Sequence, residues 1–153
     1  MELFAERYGT HEALFGFAVL NEPVMVDIGK LQDYYKRVYE AIRRHSPDSY
    51  IIIAGLTGPW EIGLEDHWIS FMNPDQGYSK VAMDVHYYSC YGGKGDSSDI
   101  DSNINYINYD VQQNINDYKA RNPKLLVIGE WSVCQHGDQN RYVKCSSFVK
   151  QRY

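Results

Sequence analysis

Clustered basic residues, long apolar runs and paired cysteines are all scarce in this sequence. The net charge of the 153 residues is −5 at pH 7, and no stripe of Lys and Arg appears, so the sequence lacks the charge that grips phosphate backbones or anionic lipids. Apolar residues make up 44% of the chain, but no run of them has the length of a membrane-spanning helix. We therefore predict neither nucleic acid nor a membrane as a partner.

The cysteine and glycine patterns argue against a disulfide framework, a metal site and a cofactor site. The three cysteines, Cys90, Cys134 and Cys145, are odd in number and lack the spacing of zinc ligands, although a bridge between the last two stays an alternative. No GxGxxG motif follows the first apolar run, so the dinucleotide-binding fingerprint is missing. We expect no metal and no cofactor. The first residues also lack the basic start and apolar run of a signal peptide.

Short apolar runs alternate with helix-length segments along the chain. Runs typical of strands buried on both faces lie at residues 14–20, 50–54, 81–88 and 125–129. Helical spacing of apolar residues predicts helices over residues 27–45, with Asp27 as N-cap, and over 103–121. Shorter helices are predicted within residues 60–71 and 139–153. This alternation predicts consecutive right-handed βα units, and therefore an α/β fold with a parallel sheet.

Polar side chains stand where three of the four apolar runs end. They are Asn21 and Glu22 after the first run, His86 to Tyr88 at the end of the third, and Glu130 and Trp131 after the fourth. Because the carboxyl ends of parallel strands form the site in barrels and open α/β sheets, we expect these side chains to meet in one cleft. Two carboxylates in one cleft are what cleavage of a glycosidic bond requires. The alternative is that each glutamate merely lies exposed at a strand end.

Three segments carry a resemblance to a known family. Residues 16–23 contain Asn-Glu-Pro, residues 84–88 contain His-x-Tyr, and residues 128–132 contain Gly-Glu-Trp. In this order the motifs resemble those of glycoside hydrolase family 5, whose members are retaining enzymes with a (β/α)8 barrel. The residue patterns of the second and third segments are most similar to those of the glucan 1,3-β-glucosidase branch, whose members are also called exo-β-1,3-glucanases.

The resemblance implies roles for the residues that match. Glu22 would be the general acid/base and Glu130 the nucleophile of a double displacement on β-glucan, with β-1,3-glucan as the expected substrate. Asn21 would hydrogen-bond the 2-hydroxyl of the sugar. His86 and Tyr88 would position the carboxylates, with Tyr88 donating to Glu130.

The three tryptophans have different expected roles. Trp131, next to the predicted nucleophile, is expected to stack on the sugar ring and bind substrate. Trp60 and Trp68 are expected to be packing residues, as a Trp in an α/β chain usually is.

The resemblance also implies that only part of a barrel is present. A complete (β/α)8 barrel takes about 250 residues and eight strands, so residues 1–153 are predicted to be an incomplete glycoside hydrolase catalytic domain, a partial TIM barrel of roughly strands four to seven with their helices. Open barrel edges predict self-association. An alternative is a non-catalytic truncated remnant that binds glucan or a partner chain. The family is usually extracellular or in the cell wall, although this chain shows no signal peptide.

Overall fold

The computed structural model describes residues 1–57, 64–88 and 99–132. Its elements in chain order are α1 (Glu2–Tyr8), β1 (Gly16–Ala18), α2 (Ile28–Arg43), β2 (Tyr50–Ala54), α3 (Asp66–Ile69), a 3-10 turn (Pro74–Gln76), β3 (Val81–Tyr88), α4 (Ile100–Asn105), a π-helical segment (Tyr106–Val111), α5 (Gln112–Arg121) and β4 (Leu125–Ser132). Among these helices, none is long and apolar enough to cross a bilayer.

The chain divides into two compact units, and each is described on its own. The first unit contains Met1–Val85 and Asp117–Val127. The described residues of the second unit are 86–88, 99–116 and 128–132. Strands β3 and β4 begin in the first unit and end in the second.

The four strands form one sheet in the order β1-β2-β3-β4. Strand β1 pairs in parallel with β2, and β2 pairs in parallel with β3, which confirms the predicted α/β class. Gly16 of β1 lies opposite Tyr50 of β2, and a Cβ added at Gly16 would stand 2.5 Å from the Tyr50 carbonyl oxygen. Glycine at this position therefore allows the close approach of the two strands.

Helix α2 starts and ends close to the predicted bounds. The Asp27 side chain accepts a hydrogen bond from the Lys30 amide at 3.0 Å, which confirms the predicted N-cap. Its buried residues are Leu31, Tyr35 and Ile42, and they belong to the core of the first unit. The helical spacing read from the sequence therefore identified the face that packs against the sheet.

Trp68 lies at the centre of this core and is fully buried. Its ring is 6.2 Å from that of Tyr35 and 5.9 Å from that of Phe71, measured between centroids. The expectation of a packing role for Trp68 is confirmed. Trp60, the three cysteines and residues 139–153 lie outside the described residues.

Lys124 is a buried cation next to this tryptophan, with 5% of its surface exposed. Its Nζ donates to the Trp68 carbonyl at 2.8 Å and to Asn73 Oδ1 at 2.7 Å. Burial lowers the pKa of Lys124 to about 8, and the charge of Asp75 opposes this shift. Through its hydrogen bond to Asn73, the Lys124 ammonium connects the segment after α3 to the residue before β4. The burial of its charge opposes this stabilisation.

The helix before β4 begins three residues earlier than predicted. The Asp99 side chain caps it by accepting from the Ser102 amide at 3.0 Å, and helical structure continues from Ile100 to Arg121. The π-helical segment widens the turn, so the regular 3.6-residue stripe read from the sequence does not hold at Ile107, which is 49% exposed.

Strand β4 is longer and less covered than predicted. It extends to Ser132, and two of its apolar side chains, Leu125 and Ile128, are 45% and 42% exposed. The prediction of a strand buried on both faces is therefore wrong for β4. A uniformly apolar run identifies a strand, but the elements that pack on it decide how much of each side chain is covered.

Candidate functional site

Glu22 lies in the first unit, four residues after the end of β1. The last ladder bond of β1 runs from the Val19 amide to the Ile52 carbonyl at 3.1 Å. Beyond it, the Pro23 carbonyl accepts from the Thr57 amide at 2.6 Å. Glu22 therefore lies between two hydrogen-bonded positions, in the turn that carries the chain from β1 toward α2.

The backbone of Glu22 is in the left-handed region, with φ of 40°. A non-glycine residue there costs on the order of 1–3 kcal/mol, and such residues cluster at functional sites because surrounding structure must hold them. Asn21, the residue before it, is exposed. The sequence pattern located both residues near the strand end, but it carried no signal for the left-handed backbone.

Three predicted residues meet in the second unit: His86, Tyr88 and Glu130. His86 and Tyr88 are two residues apart on β3, so their side chains leave the same face of the strand. The Tyr88 hydroxyl donates to Glu130 Oε2 at 2.6 Å, which is the contact that the resemblance implies. His86 Nδ1 lies 3.7 Å from the same oxygen.

The hydrogen bond from Tyr88 is short, as expected for a donor to an ionised carboxylate, and it fixes the direction of the Glu130 carboxyl group. The side chains of Glu130 and His86 are 40% and 14% exposed, so the carboxylate is open to solvent while the imidazole is largely covered. A protonated His86 would add a positive charge beside Glu130 Oε2. This arrangement can present a carboxylate in a fixed orientation to a ligand.

Tyr87 lies between His86 and Tyr88 in the sequence, so its side chain faces the other side of β3. Burial raises the pKa of Tyr87 to about 12, and the nearby Tyr106 raises it further. Its hydroxyl therefore stays protonated at neutral pH, and the alternation along the strand separates it from Glu130.

Trp131 is 68% exposed, so its ring is available for contact. Adjacent residues of a strand face opposite sides, and Trp131 directly follows Glu130 within β4. Adjacency in sequence therefore does not by itself bring the ring to the carboxylate. The assignment of Trp131 to sugar stacking stays a prediction.

The sequence pattern indicates no role for Tyr34 in the site, yet its hydroxyl donates to the carbonyl of Val19, three residues before Glu22, at 3.1 Å. A usable signal existed, because the hydroxyl of a partly buried tyrosine usually needs a hydrogen-bond partner.

A family model described as Cellulase (glycosyl hydrolase family 5) matches residues 1–153, the full length of the chain. The chain belongs to glycosyl hydrolase family 5. This confirms the family predicted from the three motifs, and the family is one of glycosidases.

Two curated relatives carry the name of the predicted branch. Glucan 1,3-beta-glucosidase 3 of Schizosaccharomyces pombe is 23% identical over 132 residues, covering 86% of this chain and 25% of the relative. Glucan 1,3-beta-glucosidase 2 of Wickerhamomyces anomalus is 26% identical over 138 residues, covering 87% of this chain and 30% of the relative. The chain thus spans about a quarter to a third of these relatives, and its assignment as an incomplete catalytic domain stays a prediction.

The fold is also similar to that of solved family members. The structure of the cellulase Cel5C_n matches with a TM-score of 0.60 at 19% identity, covering 97% of this chain and 40% of that one. At this identity the likeness concerns the fold alone. It confirms the predicted part of a (β/α)8 barrel.

Proposed function

We propose that this chain carries the two catalytic carboxylates of a retaining glycosidase that cleaves β-glucan. The observation that carries the proposal is the Glu130 carboxylate held by the Tyr88 hydroxyl at 2.6 Å, on a strand of a family 5 fold. A nucleophilic carboxylate must keep one orientation toward the sugar carbon, and a short hydrogen bond to one oxygen supplies that constraint.

The proposed mechanism has two steps. Glu130 attacks the anomeric carbon while Glu22 donates a proton to the glycosidic oxygen, so the bond to the leaving alcohol breaks and a glycosyl ester of Glu130 forms. Glu22 then removes a proton from water, which attacks the same carbon and releases Glu130. Two displacements restore the original anomeric configuration. This scheme requires carboxyl groups about 5–5.5 Å apart.

Four further side chains complete the proposed site. Tyr88 orients Glu130, and His86, close to the same oxygen, limits its movement. Asn21 would donate to the 2-hydroxyl of the sugar, a contact that strengthens in the oxocarbenium-like transition state. Trp131 would offer its exposed ring to a sugar face beside the reacting unit.

The proposed substrate is a polysaccharide or oligosaccharide with β-1,3-linked glucose. The names of the curated relatives favour this linkage, while the name of the structural neighbour, a cellulase, favours β-1,4-glucan as the alternative. Mannan is a further alternative on the family resemblance alone. An extracellular or cell-wall location is proposed on the same family grounds.

The test compares the purified protein with Glu130→Gln and Glu22→Gln on laminarin, cellulose oligomers and mannan. A control, Glu40→Gln, removes an exposed carboxylate from α2. Release of glucose from laminarin by wild type and control, with at least about a hundredfold loss in both site variants, is the expected result. Full activity of Glu130→Gln would refute the proposed nucleophile, and release from cellulose alone would refute the linkage.

The second candidate is a non-catalytic chain that binds glucan or another chain through uncovered surface. The observation in its favour is the apolar exposure of α1 and the segment before β1, where Leu3, Phe4 and Phe15 are 71%, 57% and 54% exposed. Exposed apolar surface of this kind also supports self-association. Glucan retention without release of reducing sugar would favour this candidate, and sedimentation as a monomer at all concentrations would exclude self-association.

A further inference from the structure

A tyrosine of helix α2 forms a hydrogen bond at the end of β1. The Tyr34 hydroxyl donates to the Val19 carbonyl at 3.1 Å, while the Val19 amide donates to Ile52 of β2 at 3.1 Å. Both backbone groups of Val19 are therefore held, one by the neighbouring strand and one by the helix. The ring of Tyr34 packs against the core of the first unit, which fixes the direction of its hydroxyl.

A second attachment lies on the other side of Glu22. The Pro23 carbonyl accepts from the Thr57 amide at 2.6 Å. Between Val19 and Pro23 there are three residues, and the last of them is Glu22, with its left-handed φ of 40°. A strained backbone of this kind persists only where the surrounding structure over-determines it. The held positions at Val19 and Pro23 supply that constraint.

We propose that Tyr34 is a positioning residue for Glu22. Its hydroxyl fixes the end of β1 through Val19, and this keeps Glu22 in the backbone conformation from which its carboxyl group acts. The inference rests on the proposed function, since Glu22 needs a fixed position only if it transfers a proton. Tyr34 itself touches no reacting atom.

Tyr39 provides a matched control on the same helix. Its hydroxyl accepts from the Ser79 amide at 3.0 Å, two residues before the start of β3. Both tyrosines therefore tie α2 to backbone outside the helix by one hydroxyl hydrogen bond. Tyr34 does so next to the carboxyl end of a strand, where barrel sites form, whereas Tyr39 does so next to an amino end.

The first test needs no activity and uses amide exchange and side-chain carbon shifts measured by NMR. In Tyr34→Phe, exchange of the Thr57 amide should accelerate by about five- to tenfold, the factor expected for loss of one hydrogen bond, and the Glu22 carboxyl resonance should move. In Tyr39→Phe the Thr57 exchange rate and the Glu22 carboxyl resonance should both stay at their wild-type values. Unchanged Thr57 exchange and an unmoved Glu22 resonance in Tyr34→Phe would overturn the proposal.

The second test separates positioning of an acid from a general loss of structure. A phenyl β-glucoside needs protonation of its leaving group, whereas a 2,4-dinitrophenyl β-glucoside does not. Tyr34→Phe should lower kcat/KM for the phenyl substrate by roughly tenfold and for the dinitrophenyl substrate by less than about twofold. Equal losses on both substrates would contradict the proposal. A wild-type protein inactive on every glycan would refute the proposed function instead, and the exchange test would still decide the role of Tyr34.

Discussion

Replacing Tyr88 by Phe removes the hydroxyl that donates to Glu130 Oε2 at 2.6 Å and keeps the aromatic ring. A hydrogen bond to a charged group contributes roughly 1.5–3 kcal/mol. Because the Glu130 side chain is 40% exposed, water can replace part of the lost bond, and we expect a loss of about 1–2 kcal/mol in transition-state stabilisation. That loss corresponds to a kcat/KM lower by roughly 5- to 30-fold.

The assay measures kcat/KM for an aryl β-glucoside in wild type, Tyr88→Phe and Tyr109→Phe. Tyr109 lies in the π-helical segment and is 71% exposed, so its hydroxyl can be removed without disturbing a buried contact. Thermal unfolding of each variant shows whether it is folded. Wild-type kinetics in a folded Tyr88→Phe protein would refute the argument that this hydrogen bond orients the nucleophile.

Three further predictions concern stability, each measured as the free energy of unfolding in urea. Gly16→Ala should destabilise by about 1–3 kcal/mol, because its Cβ would meet the Tyr50 carbonyl, and an unchanged value would contradict the close approach of β1 and β2. Asp27→Ala should cost about 1 kcal/mol through loss of the N-cap, whereas Asp27→Asn should cost little, and equal losses would argue against capping. Lys124 has a pKa of about 8 in the fold and about 10.4 in an unfolded chain, so the unfolded state binds more protons between these values. Stability should therefore rise by about 1.5 kcal/mol from pH 8 to 9.5 in wild type and not in Lys124→Met, and a parallel rise in both proteins would assign the effect to other groups.

The strongest local patterns predicted the fold well. Strands β2 and β3 have the predicted bounds, because β2 is a continuous run of β-branched and other apolar residues and β3 is rich in apolar and aromatic residues. Helix α2 was predicted within two residues at each end, because its apolar spacing and the capping Asp27 agree. The π-helical segment, the early helix start at Ile100 and the exposure of β4 were not predictable from periodicity, because they depend on local hydrogen bonding and on which elements cover a side chain.

The candidate site was predictable in part. Strand-end polarity identified Glu22 and Glu130 as candidates, and the contact between Tyr88 and Glu130 followed from the family resemblance rather than from spacing. The left-handed backbone of Glu22 could not be read from the sequence. A partly buried tyrosine indicates that the Tyr34 hydroxyl needs a partner, but not that the partner is the Val19 carbonyl, because that contact forms where separate elements meet.

The proposed mechanism depends most on Glu130 as the residue that bonds to the sugar. Incubation with 2,4-dinitrophenyl 2-deoxy-2-fluoro-β-glucoside should trap the glycosyl ester, because fluorine slows its hydrolysis, and mass spectrometry of proteolytic peptides then locates the added sugar. We predict one fluoroglucosyl group on Glu130, and none on the Glu130→Gln variant. A sugar attached to Glu22 or to any other side chain would contradict the proposed mechanism, and so would hydrolysis with inverted anomeric configuration and no adduct.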